Sequence, residues 1–323
     1  VIKSADIDAD GDLDYFIGAR AVSGNFGQMP TSYLLINHDN NLQISSQSIF
    51  TSIGMVTDAM FYDIDGDGDQ DLCTVSEWDS PRILINEKGK FYDQTSTYLA
   101  EMPKGLWQNI TTFDIDLDGD QDIILGNIGL NTKFKASKSH PLLMYYADFD
   151  ENGQSETIIA MAKSGKYYPF DDKDKLASQL QRFIRKRYNS YADFAGKSIE
   201  EIFGNELLSE AKQSEVNELR SGYLENTNKG YLFKPLPPSF QYGPLRTIEK
   251  VSREQRPYLL MGGVKNDLPP YQGKWAAQQP MYLLSNKNYG PLSQWGINSY
   301  HNHIGGVKQV NFNSAPYLFV VTH

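Results

Sequence analysis

Asp63-Ile64-Asp65-Gly66-Asp67-Gly68-Asp69-Gln70-Asp71 runs straight into Leu72-Cys73-Thr74-Val75, and this junction of an acidic loop with an apolar run decides the fold. Near copies are Asp6-Ile7-Asp8-Ala9-Asp10-Gly11-Asp12-Leu13-Asp14 and Asp114-Ile115-Asp116-Leu117-Asp118-Gly119-Asp120-Gln121-Asp122. A looser fourth copy is Asp148-Phe149-Asp150-Glu151-Asn152-Gly153-Gln154-Ser155-Glu156. Starts at 6, 63, 114 and 148 lie 57, 51 and 34 residues apart. The first two intervals are close to the length of a four-stranded propeller blade, and the third is short. Tyr15-Phe16-Ile17 and Ile123-Ile124-Leu125 follow the other two full loops. Tyr33-Leu34-Leu35-Ile36-Asn37 and Arg82-Ile83-Leu84-Ile85-Asn86 come next, ahead of the turn residues Asn40-Asn41 and Lys88-Gly89. Each unit therefore reads strand, acidic loop, strand, strand, turn, strand, and the chain reads as an all-β propeller.

Two later segments, 243–263 and 305–321, keep the strand pattern without the acids, as metal-free blades. The first unit has almost no strand before Asp6 and the last lacks an outer hairpin, so a closed ring needs sequence beyond both ends, as expected of a piece of a longer precursor. Between 171 and 222 the period turns helical, with Leu176, Leu180, Phe183, Ile184 and Tyr188 on one face. Acids Asp171, Asp172 and Asp174 open this stretch and Arg182, Arg185, Lys186 and Arg187 close it, as the helix dipole favours. Ser198 and Glu201 have capping-box spacing, and Glu206 to Leu219 reads as a third helix. The expectation is one propeller spanning 1–323 with a helical insertion at 171–222.

Five aspartates in nine residues repel: two unit charges ~6 Å apart at an effective dielectric of ~20 interact by about 3 kcal/mol. A dication removes that cost, and donors that are all hard oxygens favour Ca2+ over zinc or copper. Carboxylates at positions 1, 3 and 5 aim at one centre, glycine at position 6 permits the sharp turn, position 7 (Asp12, Asp69, Asp120, Gln154) supplies its backbone carbonyl, and the acid at position 9 closes the shell. An EF-hand needs glutamate at position 12, where this chain has Ile17, Thr74 and Leu125. Three calcium sites are expected, with a fourth at 148–156.

The pattern Asp-x-Asp-x-Asp-Gly-x-x-Asp at blade-length spacing resembles the FG-GAP/VCBS repeat family, whose calcium loops also occur in integrin α-chain propellers. The stretches 126–131, 147–153 and 188–195 further resemble large bacterial exported FG-GAP proteins with ASPIC/UnbV modules. The resemblance implies a seven-bladed ring, of which this chain covers about five to six blades, and calcium held between the first two strands of a blade by positions 1, 3, 5 and 9. Those are Asp6, Asp8, Asp10, Asp14; Asp63, Asp65, Asp67, Asp71; Asp114, Asp116, Asp118, Asp122; and Asp148, Asp150, Asn152, Glu156.

The formal charge of −10 and pI near 5.0 argue against nucleic acid, which needs a basic patch. No apolar stretch approaches the ~18 residues that span a bilayer. Cys73, the single cysteine, sits in an apolar strand and reads as core. Motifs of known catalytic mechanics are absent from the sequence. His301-x-His303 reads as a polar loop tip, or as the start of a metal site. Trp78 and Trp107 read as core, with stacking on a sugar or peptide as the sharper alternative. The function expected is a calcium-stabilised recognition or adhesion scaffold outside the cytoplasm, within a larger surface protein and binding a glycan or a protein. The alternative is a polysaccharide-processing lyase or hydrolase.

Overall fold

Strand pairing follows the acidic loops, because each loop closes an antiparallel hairpin from which the next strands are added outward. A computed structural model describes residues 1–253, 256–265, 275, 277–295, 304–312 and 315–322. The first sheet runs β1 (Ile2–Ala5), β2 (Asp14–Ile17), β3 (Tyr33–His38) and β4 (Asn41–Ile44), in that order. The second runs β5 (Met55–Tyr62), β6 (Asp71–Asp79), β7 (Arg82–Glu87) and β8 (Lys90–Asp93). Helix α1 (Thr95–Tyr98) follows, and the short β9 (Gly105–Leu106) pairs with the end of β6.

The third sheet begins with β10 (Asn109–Phe113) and β11 (Asp122–Gly126), and then the chain leaves it for 127–221. That excursion builds a sheet of its own from β12 (Leu142–Ala147), β13 (Glu156–Lys163), β14 (Lys166–Pro169) and β15 (Lys212–Val216), in the order β14-β13-β12-β15. Between β14 and β15 lie α2 (Lys173–Gln179), α3 (Gln181–Arg187), α4 (Tyr191–Phe194), α5 (Ile199–Phe203) and α6 (Asn205–Glu210). The chain returns with β16 (Gly222–Glu225) and β17 (Leu232–Pro235), β16 pairing with β11 to complete the third sheet. A fourth sheet has β18 (Thr247–Arg253), β19 (Arg256–Gly262), β20 (Met281–Leu284) and β21 (Tyr289–Pro291), and β22 (Ile304–Phe312) pairs with β23 (Ala315–Thr322).

The first strands of successive sheets stand side by side, β1 against β5, β5 against β10, β10 against β18 and β18 against β22, which is the radial arrangement of a propeller. Apolar faces meet between neighbours. Phe16 and Leu34 pack on Ala59, Leu72, Leu84 and Phe91. Cys73, Val75, Ile83 and Ile85 pack on Ile110, Ile123 and Leu224. Phe113 and Ile124 pack on Ile248, Leu259, Met261 and Leu283. Each fully buried Leu or Ile contributes about 2 kcal/mol of hydrophobic stabilisation.

The inserted sheet uses both faces. Leu142, Met144 and Val216 press onto Met55, Trp78 and Leu106 at the end of the second sheet, while Leu176, Leu180, Ile184, Ile199 and Ile202 cover Leu143, Ile158 and Ala160 on the other side. Ser190 and Ser198 form capping boxes with Asp193 and Glu201, and Asp172 caps α2. The helical segment is shorter than its period suggests. It ends at Glu210, and the third helix expected to reach Leu219 yields to β15, whose ladder with β12 satisfies more backbone than an isolated turn of helix.

Candidate metal centres

The four acidic loops close in the same register: Ala5 pairs with Asp14, Tyr62 with Asp71, Phe113 with Asp122, and Ala147 with Glu156. The acid at position 9 is thus the first residue of a strand, and it is buried in all four. One of its oxygens accepts the amide of the apolar residue at position 2: Ile7 at 2.8 Å, Ile64 at 2.7 Å, Ile115 at 3.0 Å and Phe149 at 3.1 Å. In the three blades the other oxygen accepts the amide of an asparagine at the end of the third strand, Asn37 at 2.7 Å, Asn86 at 2.8 Å and Asn226 at 2.9 Å.

Position 1 accepts amides from across the loop, as Asp63 does from Gly66 (2.8 Å) and Gly68 (3.0 Å). Position 5 caps the amide of position 7, at 2.9 Å for Asp10, 2.8 Å for Asp67, 3.2 Å for Asp118 and 2.8 Å for Asn152. The backbone is left-handed at position 4 (Ala9, Gly66, Leu117, Glu151) and again at position 6, where every loop has glycine.

Folding in this way brings ligand atoms of positions 1, 3 and 9 within 4.8 Å of one another in each loop: Asp6, Asp8, Asp14; Asp63, Asp65, Asp71; Asp114, Asp116, Asp122; Asp148, Asp150, Glu156. Positions 5 and 7 stand outside these triads. Asp12 and Asp69 instead accept the amides of Asp39 and Lys88 on the outer turn. Asp10 joins a separate group with Asp8 and His38, whose Nδ1 lies 2.8 Å from Asp10 Oδ2.

The donor set fits a hard dication. Asp6 Oδ1, Asp8 Oδ1, Asp116 Oδ1 and Asp150 Oδ1 are buried without a hydrogen-bond partner, an arrangement that costs about 1–3 kcal/mol per group unless something occupies the space between them. Burial first, then neighbouring carboxylates, raises the pKa of Asp8; burial is likewise the leading cause for Asp65, Asp71, Asp122 and Glu156. Asp120 is pushed up to about 6 by burial and by Asp118 and Asp122. Asp10 moves the other way, held down by the Asp12 amide and by His38, which is itself raised by Asp10.

The family model described as an FG-GAP-like repeat matches residues 6–74 and again residues 63–125, so both matches begin on the first aspartate of a loop. The chain carries FG-GAP-like repeats. No curated protein matches it. The fourth loop stands apart from the blades of this FG-GAP array: it joins β12 to β13 in the inserted sheet, which accounts for the short third interval. The second strand of the third FG-GAP unit is followed by a 95-residue detour (127–221), whereas β6 and β7 are separated only by Ser80 and Pro81.

Both tryptophans are buried, Trp107 against Phe233 and Trp78 beneath the inserted sheet, which agrees with the core reading and gives no support to stacking on a sugar or peptide. His301 and His303 lie outside the described residues. Asn37, Asn86 and Asn226 recur at one place in the three blades, and their tie to the acidic loop runs through the backbone amide, which residue type alone does not signal.

Among the described residues no helix is long and apolar enough to cross a membrane.

Proposed function

We propose that the chain is a calcium-loaded recognition scaffold that works outside the cytoplasm as part of a larger surface protein. The observation that carries this reading is the fourfold convergence of positions 1, 3 and 9, with buried carboxylate oxygens left unpartnered inside the loops. All donors are carboxylate, amide or backbone oxygens, the set that calcium prefers. A bound dication supplies charge compensation at each hairpin, and the residues do the rest. In the three blades position 9 locks the loop to its own third strand; in all four loops position 1 gathers loop amides, and left-handed residues flank the turn after position 3. Calcium is structural in this reading.

Sites of this kind in extracellular modules have dissociation constants of ~10⁻⁴ to 10⁻³ M, which suits a compartment rich in calcium and not the cytosol. Four dications would offset most of the formal charge of −10, leaving a nearly neutral surface for a glycan or protein partner. Thermal unfolding in 5 mM calcium and in chelator tests the metal; the melting temperature is expected to rise several degrees with calcium, and an unchanged midpoint would remove it from the account. A glycan array followed by product analysis tests the role. Retention without cleavage is expected, and shortened or unsaturated products would mark a polysaccharide-processing enzyme instead.

A further inference from the structure

The second and third acidic loops carry the same residue types at every position but the fourth, where the second has Gly66 and the third Leu117. Their carboxylates at positions 1, 3, 5, 7 and 9 are one donor set built twice, and their hairpins close in the same register. What differs is the charge that stands beside them.

The third loop is clasped by the fourth sheet. Ser285, in the turn between β20 and β21, donates its hydroxyl to the carbonyl of Asp114 at 2.8 Å, and the Lys287 amide donates to the carbonyl of Ile115 at 3.2 Å. Asn286 and Lys287 are both left-handed, at φ 69° and 61°, a conformation that residues other than glycine seldom adopt. With the backbone held there, Lys287 Nζ lies 3.6 Å from Asp116 Oδ2 and 3.9 Å from Glu225 Oε1. Glu225 also pairs with Lys234, so Lys287 is the cation that serves Asp116.

Asp116 holds position 3 of the third loop, and its two oxygens have different surroundings. Oδ2 faces the ammonium, whereas Oδ1 is buried without a hydrogen-bond partner. The second loop has no such neighbour. Among the described residues Asp65, the counterpart of Asp116, makes no ion pair, and it accepts the Asp67 amide of its own loop at 3.2 Å. In the fourth sheet β18 and β19 are joined by only two residues, 254 and 255, so that blade has no acidic loop of its own, and its lysine turns to the loop of its neighbour.

We propose that Lys287 is a built-in counter-ion of the third loop, supplied by the fourth blade, which lets that loop close without metal and makes it the weaker calcium site of the matched pair. The inference rests on the calcium reading given above. An ammonium beside a ligand carboxylate lowers the negative potential that draws in a dication. Lys287 is half-exposed, so solvent and salt screen much of this repulsion, and the effect expected is about tenfold in affinity. The two loops then fill in order, the second before the third.

Native mass spectrometry across a titration of free calcium reads each site as a step in the ion count. Asp65→Asn removes the step of the second loop and Asp116→Asn that of the third, which assigns them. The third-loop step is expected at about tenfold higher calcium than the second. Lys287→Met should bring it down by about tenfold and leave the second where it was, whereas Lys287→Arg, which keeps the charge, should preserve the order. A third-loop step that stays in place in K287M, or moves to higher calcium as it would if Lys287 only positioned Asp116, overturns the proposal and leaves the calcium reading intact. Retention of no ion by any loop overturns both. Thermal unfolding in chelator is the second readout. K287M is expected to melt about 1–2 °C below the parent chain, because the metal-free loop has lost its counter-ion, and a higher midpoint contradicts the proposal.

Discussion

Asp71 separates structure from metal binding within one side chain. Its two oxygens accept the amides of Ile64 and Asn86 whether or not a cation is bound, so Asp71→Ala leaves two backbone donors unpaired. We expect it to lose about 2–4 kcal/mol in urea unfolding even in chelator. Asp65 has a lighter structural role, since its side chain accepts the Asp67 amide within the loop, at 3.2 Å, a bond that an asparagine oxygen can also accept, and burial already disfavours its charge. Asp65→Asn should leave chelated stability within about 0.5 kcal/mol and reduce the stabilisation gained from calcium. Asp120 gives the pH dependence. Its folded pKa of about 6 lies above its ordinary value of 3.8, so its contribution is fully present at low pH and is lost as pH rises through 6. His38, also raised, acts in the same direction. The metal-free protein should therefore melt higher at pH 5 than at pH 7, whereas in calcium, where protons compete with the ion for the carboxylates, acidification should lower the midpoint. Melting curves at the two pH values in chelator and in calcium check the reversal.

At the scale of the element, loop conformation outranks loop sequence. Position 4 is left-handed in all four loops, and the second loop alone places glycine there; the third places Leu117, at φ 64° and 62% exposed. A left-handed non-glycine residue costs about 1–2 kcal/mol, offset in part by the extra chain entropy that glycine loses on folding. Leu117→Gly should therefore stabilise by about 0.5 kcal/mol, measured by thermal or urea unfolding. The hairpins were legible because acids, glycine and a β-type run recur in fixed order. What periodicity hid was the pairing partner. Leu142–Ala147 and Glu156–Lys163 look like any blade hairpin, and only their ladder with Lys212–Val216 shows that they belong to an inserted sheet. Segment 212–216 continued a helical reading because amphipathic spacing over so few residues fits either period.

At the scale of the whole molecule, the propeller array, the loops and the buried Cys73 could all be read from the sequence, since each rests on local pattern. The placement of the insertion could not. It depends on where Leu142, Met144 and Val216 find apolar partners, and those partners, Met55, Trp78 and Leu106, lie in distant segments. The same contact buries Trp78 between the acids Glu77 and Asp79. Three loops close blades of the array and the fourth closes the inserted hairpin, so calcium would brace both parts through one chemistry. Native mass spectrometry of the chain equilibrated with millimolar calcium counts the ions directly. The account predicts four retained calcium ions, falling to three in Asp150→Asn; retention of none, at a concentration that saturates sites of ~10⁻³ M, would contradict it.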